Sequence, residues 1–441
     1  MNTSVEKREF KIERYGLEAV PKELRQTKWY EYASLQAAFA VNAGNFLVPA
    51  FAVLQGGLSV MSAIVSTTIG ATLAFWLVSF LSLPGAQHGI PAQFAIRSIL
   101  GIKGTQWVSS PIRSITSLYW FSVQVIGGAY VVQEVVVHSF GWYVPFALIT
   151  LLLSSIMILL SLIGFDAVKS VTRKFFPVLL IGQVVMIILF VQSDAFTTTD
   201  LSSSTSSSFL TMSFFASLAF MQYVSGVSAA SDMTRYAKST KHGFYGVLVG
   251  NVWGFLVTAV LGAFSAVLFQ HVNPYVAAMS LTTSKWLIAF ILLCTLLSMI
   301  SINLSNAYTG SLSLLNSFPA LGRIKAALLF GVFALILSML PQLVNEAKTY
   351  IALLGAFIIP LSAVIVTDFL WIKKKQIDLI SLTQKNRSMN KIAFFHLFIG
   401  IILYFTIPES ISPGFMTFLF ISLSYGLSYR WLTKQKNNAN V

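Results

Sequence analysis

The sequence predicts an all-α polytopic membrane protein with about 12 transmembrane helices, and three observations carry that reading. Of 441 residues, 56% are hydrophobic and only 10% are charged, against roughly 25% charged in a soluble chain. The apolar residues run on for about 20 positions at a time instead of alternating in short segments, which fits helices rather than a barrel. The net charge of +14 is also placed on one side. With twelve spans and cytoplasmic termini, every Lys and Arg except Lys285 and Lys348 falls on the inner face, as the positive-inside rule requires. Basic charge so distributed reads as topology, not as a nucleic-acid surface.

Taken in order, residues 1–31 are polar, lack the apolar core of a cleavable signal peptide, and read as a cytoplasmic segment. Candidate spans follow at 32–54, 58–83, 108–137, 142–164, 168–192, 209–230, 244–270, 285–316, 324–341, 347–372, 391–408 and 413–433. A single transmembrane domain, 32–433, thus takes nearly the whole chain and leaves a cytoplasmic tail at 434–441. The Ser/Thr-rich stretch 197–208 and the basic stretch 373–391 are its largest connections. Cys294 is the single cysteine, so no intrachain disulfide can form, and its place in an apolar run suits packing.

Two spans interrupt their own helices. The first carries FAVNAGNFLVP at 39–49, with Asn42, Gly44, Asn45 and Pro49 where the bilayer centre falls. The sixth carries MQYVSGVSAAS at 221–231, with Gly226 among serines. Small residues also serve close helix packing. Two breaks at matching positions of two halves, however, point to a transporter of inverted repeats with its site at mid-membrane. The repeats would run from about 32 to 192 and 209 to 372, with trailing helices at about 391–433. A broken helix leaves N–H groups free at one half-end and C=O groups at the other. The carbonyls suit a cation, and the donors and nearby side chains suit a polar solute.

The third span supplies a matching face. Ser117, Trp120 and Gln124 share one side by helical spacing. An indole stacks on a flat, uncharged heterocycle, and an amide offers one donor and one acceptor to its edge. Tyr223 would form a second aromatic wall, with Gln222, Ser225, Asn303 and Asn306 as further polar contacts and Asn42, Gly44 and Asn45 at the first break. The acids Asp166, Asp232, Asp368 and Glu134 lie near span ends, so no carboxylate is set aside for a cationic substrate. Asp232, three residues before Arg235, is expected to form a local ion pair or cap. Histidines 88, 138, 242, 271 and 396 form no ligand cluster, and no catalytic constellation argues for an enzyme.

Five stretches in order resemble the nucleobase:cation symporter-1 family, in particular its purine–cytosine permease branch. They are IERYGLEAVPKELRQTKW at 12–29, GAQHGIPAQFAIRSILGIKG at 85–104, ASDMTRYAK at 230–238, NLSNAYTGSLSLLN at 303–316 and LLGAFIIPLSAVIVTDF at 353–369. The resemblance implies a leucine-transporter-type fold of 5+5 inverted repeats plus two trailing helices. It implies a substrate stacked between Trp120 and Tyr223, with Gln124 matching the amide of hydantoin-type members and Ser117 standing where cytosine-type members carry theirs. Gln222 and Ser225 match polar positions beside the sixth-span break, and Asn306 or Asn303 the amide of the eighth span. The family's sodium site maps to carbonyls of Ala40 and Ala43 and hydroxyls of Ser298 and Ser301. Here the sequence departs, because Ile300 and Ile302 flank Ser301, and the coupling ion is Na+ or H+. Gly44 stands where cytosine permeases have an aromatic residue, which leaves room for purines or related rings.

The expected function is therefore a symporter of the cell membrane that imports a neutral nucleobase-like heterocycle, purine or cytosine, with a cation. Permeases for allantoin, hydantoin or hydroxymethylpyrimidine share the same expected fold. A solute receptor that binds without transporting would need the same pocket.

Overall fold

The computed structural model describes residues 15–162, 165–203, 208–383 and 389–439; the side chains of 138–140, 161, 165–168 and 433–439 lie outside this description. Lys7, Arg8, Lys11, Arg14, Lys385 and Arg387, part of the Ser-rich stretch, and the side chains of His138, Asp166, Lys434 and Lys436 thus fall outside it.

Helices account for all twelve expected spans. The first is a pair, Trp29–Ala40 and Ala43–Leu54, bent by 59°. Val60–Leu81, Ser110–Phe140, Phe146–Ser161, Phe165–Gln192 and Phe209–Val224 form spans two to six. Thr240–Phe269, Lys285–Ser317, Gly322–Ser338, Ala347–Thr367, Lys391–Thr406 and Pro413–Ala439 complete the set. The expected connection between spans two and three folds as two short helices on the inner side, Leu83–His88 and Ala92–Leu100. Large apolar side chains such as Trp286, Phe398 and Leu159 point outward, the surface a lipid-facing bundle presents.

The first break has a specific cause. Asn42 leaves the helical region (φ −153°, ψ 165°) and its side chain accepts from the N–H of Asn45, capping the second half-helix. Its amide Nδ2 donates at 2.5 Å to the carbonyl of Phe39, in the last turn of the first half. One residue thus ends one helix and starts the next, which is what asparagine does well and apolar residues cannot. In the sixth span the helix tightens into a 3₁₀ turn at Ser225–Ser228 and leaves helical geometry at Ala229 (φ −138°). It resumes for five residues, Ala230–Thr234.

The first half-helix packs along the seventh span. A Cβ added at Gly246, Gly250 or Gly254 would stand within 2.7 Å of Tyr32, Ala33 or Ala40, so this stripe lets the two backbones approach. The third span packs on the eighth, and the sixth on the second. That arrangement gathers both breaks around the middle of the third and eighth spans.

The inner face is tied shut by polar contacts. Arg97 Nη2 donates to Asn316 Oδ1 at 2.7 Å, and Gln93 Nε2 to the Ser228 carbonyl at 3.0 Å. Arg25 donates to the carbonyls of Val20, Gln87 and His88, and Arg235 to that of Gly16. Thr27 pairs with the backbone at Tyr236 and Lys238. Arg97, Arg113 and Arg235 are therefore not free inner-surface charges, as the topology count treats them: all three are buried.

Candidate functional site

A cavity of about 170 Å³ lies between the two breaks. Trp120, Gln124, Gln222, Tyr223, Ser225, Asn306, Asn45 and Ala40 line it. Phe75 and Phe255 back the Tyr223 ring, at centroid distances of 4.6 and 5.1 Å, and Tyr119 stands edge-on to Trp120 at 5.0 Å. Both aromatic walls are thus packed against other rings.

The amides divide into fixed and available groups. Gln124 Nε2 donates to Asn42 Oδ1 at 2.6 Å, so the third span is bonded to the first break. Gln222 Nε2 donates to Asn45 Oδ1 at 3.0 Å, which ties the sixth span to the same break. Its Oε1 is buried without a hydrogen-bond partner, as is the Tyr223 hydroxyl. Asn303 lies back from the cavity, donating to the Phe121 carbonyl and accepting from Asn306 Nδ2 at 3.1 Å, and so it orients Asn306. Ser117 also stands behind the lining, its Oγ 3.4 Å from Thr309 Oγ1. A side chain at Gly44 would displace Gln124: a Cβ there would lie 2.7 Å from Gln124 Nε2 and 3.2 Å from the Trp120 ring.

The candidate cation ligands lie deeper against the first break. Ala40 O already accepts from Asn45 Nδ2 at 2.7 Å and Thr258 Oγ1 at 2.9 Å. Ser298 Oγ donates to the carbonyl of Val41, and Ser301 Oγ to that of Leu297 in its own helix. Ala43 faces a second cavity of about 610 Å³ on the outer side, which begins beside Gly127 and extends to Glu134 and His271. Among the described residues, no group of three or more His, Cys, Asp or Glu side chains could hold a metal ion.

Asp232 departs from its expected local role. Its Oδ1 accepts from the backbone N–H of Ala92 at 2.7 Å, capping the inner helix Ala92–Leu100, and Oδ2 is buried without a partner. No ion pair joins it to Arg235 among the described residues. Burial pushes its carboxyl up to about 7, against the opposing pull of the Ala92 N–H, Arg113, Arg235 and Arg323.

Sequence reasoning missed Arg113, Thr309, Phe75, Gln36 and Asn251, which also line the cavity. Arg113 was within reach: it extends the stripe of Ser117, Trp120 and Gln124 by one turn. Its place near a span end disguised it as an interfacial charge.

Residues 19–429 match the family profile described as permease for cytosine/purines, uracil, thiamine, allantoin. The chain belongs to this family. Among curated relatives, the permease is 23% identical over 433 residues to a hydantoin permease of Microbacterium maritypicum, covering 92% of this chain and 85% of that one. Its fold matches Mhp1, a nucleobase-cation-symport-1 family transporter, in a closed conformation with bromovinylhydantoin bound. That match has a TM-score of 0.81 at 20% identity and covers 96% of this chain and 97% of that one. The inward-facing conformation of Mhp1 matches at 0.74 and 22% identity, covering 96% of each chain. A Na+-coupled sialic acid symporter matches at 0.60 and 13% identity, covering 92% and 91%. This permease thus has a multi-pass fold of the 5+5 inverted-repeat type with two trailing helices.

Proposed function

We propose that the permease imports a planar, nucleobase-like heterocycle, a purine or pyrimidine, by alternating access around the cavity between the breaks. The observation that carries this reading is the pairing of two buttressed aromatic walls, Trp120 and Tyr223, with the amides of Asn45, Gln124, Gln222 and Asn306 around one cavity. A small flat ring stacks on the walls and bonds to Gln222 and Asn306, while Gln124 and Asn45 hold the break in shape. The two five-span halves, about 32–192 and 209–372, would exchange access between the outer cavity and the inner face, with both termini cytoplasmic.

A hydantoin-like ring is the second reading. The likeness to a hydantoin permease favours it, as does Gln124 following Trp120 by one turn.

For the coupling cation, Na+ would take the carbonyls of Ala40 and Ala43 and the hydroxyls of Ser298 and Ser301. To do so it must displace Asn45 and Thr258 from Ala40, and turn Ser301 away from its own helix. A proton needs only Asp232, whose free Oδ2 lies in the short helix just past the sixth-span break. The donor set therefore favours H+ over Na+.

The test is thermal stabilisation of the purified permease by nucleobases and hydantoins across pH, with and without Na+. Specific binding to the folded state raises the melting temperature by mass action. No shift with any planar heterocycle would remove the cavity as a substrate site. Accumulation of labelled ligand in proteoliposomes separates a transporter from a receptor.

A further inference from the structure

A guanidinium stands in the inner part of the cavity lining. Arg113 is 7% exposed and lines the cavity two turns before Trp120 on the same helix face. Its Nη1 reaches the carbonyl of Ser225, at the sixth-span break, at 3.4 Å, and its Nη2 reaches Thr309 Oγ1 at 3.3 Å. Both contacts are at the outer limit of hydrogen bonding. Its Nε is buried with no partner at all. Among the described residues, no carboxylate oxygen lies within 4.0 Å of it. The acid that acts on it is Asp232, through space rather than through a bond.

The buried inner Arg97 differs, for it places two nitrogens on Asn316 Oδ1, at 3.0 and 2.7 Å. A guanidinium has five N–H donors and no acceptor. Burying one with two long bonds is costly unless something else accepts from it. The space it faces is the substrate cavity, so the missing acceptor is the substrate's to supply.

That donor set discriminates between rings. Gln222 is tied through Nε2 to Asn45 and Asn306 through Nδ2 to Asn303, so each has its oxygen left to accept from ring N–H groups. Arg113 meets only an acceptor. We propose that Arg113 is the specificity-determining floor of the cavity, selecting heterocycles whose inward edge carries oxo oxygens or a ring oxyanion. It would disfavour rings that carry amino groups there. This inference rests on the functional reading above, since it takes the cavity to be the substrate site. It deepens that reading: the preferred cargo is a cyclic imide or ureide, such as an oxopurine or an oxopyrimidine, and an aminopurine of the same shape is a poor one.

The test compares ligands of matched shape on the unaltered full-length permease. Affinities are measured by thermal shift and by competition for xanthine against 2,6-diaminopurine. A second pair is uracil against 2,4-diaminopyrimidine at mildly alkaline pH, where the diamine is uncharged. The oxo member of each pair is expected to bind at least about tenfold tighter, the size of one charge-assisted hydrogen bond. In Arg113→Gln the preference should shrink by about the same factor, because the neutral amide serves both members.

Equal affinity within the pairs would overturn the role of Arg113 and leave the cavity as a substrate site. Binding of no member of either pair, nor of hydantoin, would overturn both. If Arg113→Gln does not fold, the comparison on the unaltered protein still decides.

Discussion

At the scale of residues, Trp120 and Gly44 form one device. The indole offers a flat face only because nothing projects from position 44, where a Cβ would meet both the Trp120 ring and Gln124 Nε2. Trp120→Ala removes the stacking surface, a contribution of about 1–3 kcal/mol for a base on an aromatic ring, and should weaken binding by about ten- to a hundredfold. Unchanged affinity in a thermal-shift titration would show that the ring only packs. Gly44→Ala should damage the site differently, by pushing Gln124 off Asn42, at a cost of about 1–3 kcal/mol for overpacking. The expected result is a lower melting temperature as well as weaker binding; a variant as stable as the parent would mean that the break relaxes freely. The composition of this site was legible in the sequence because aromatic and amide residues at mid-bilayer have few other uses. The state of each group was not: Gln124 is occupied by Asn42, a partner 82 positions away, and no local pattern shows such a bond.

At the scale of elements, the first span shows how a break is stabilised without a ligand. The carbonyls of Phe39, Ala40 and Val41, freed where the first half-helix ends, accept from Asn42 Nδ2, from Asn45 and Thr258, and from Ser298. A buried unsatisfied carbonyl costs about 1–3 kcal/mol, so these donors are why the bend of 59° persists. Asn42→Ala loses both the cap and the bond to Phe39, and should destabilise the folded permease by about 1–2 kcal/mol. Its melting temperature should fall even where ligand is absent. Asn42→Asp keeps the acceptor for Asn45 but not the donor to Phe39, and should fall between the two; a reversed order would refute this account of the break.

The existence of this break and of its counterpart in the sixth span was legible, because Asn, Gly and Ser runs inside apolar stretches have a direct backbone meaning. The twelve spans were legible for a similar reason: lipid demands continuous apolar length. What the sequence hid was the use of the freed carbonyls. Ala40 and Ser301 were matched to a cation by position, and their protein partners come from the seventh span and from the turn before.

At the scale of the whole molecule, the proposed coupling requires substrate and cation each to favour the state that the other favours, and it is reciprocal. Asp232 is placed to carry such a link. It lies on the short helix beyond the sixth-span break, caps the inner helix at Ala92, and acts electrostatically on Arg113 at the cavity floor. His88 and Arg97 on the neighbouring inner helices, Arg25 beside His88, and Arg113, Arg235 and Arg323 are among the charged or titratable groups of this face.

Its carboxyl is raised from an ordinary 3.8 to about 7 by burial, so the folded state holds a proton that the unfolded chain releases. Stability from this group is then full below pH 3.8 and is lost as pH rises through about 7. Asp232→Asn keeps an acceptor for the Ala92 N–H and carries no charge to bury. It should flatten that fall, leaving the variant at least as stable as the parent at neutral pH. In proteoliposomes the same variant should bind substrate yet fail to accumulate it under an inward proton gradient, while Ser301→Ala should respond to the gradient as the parent does. Uptake by the parent that follows an imposed Na+ gradient and ignores the proton gradient would return the coupling role to the first break and its hydroxyls.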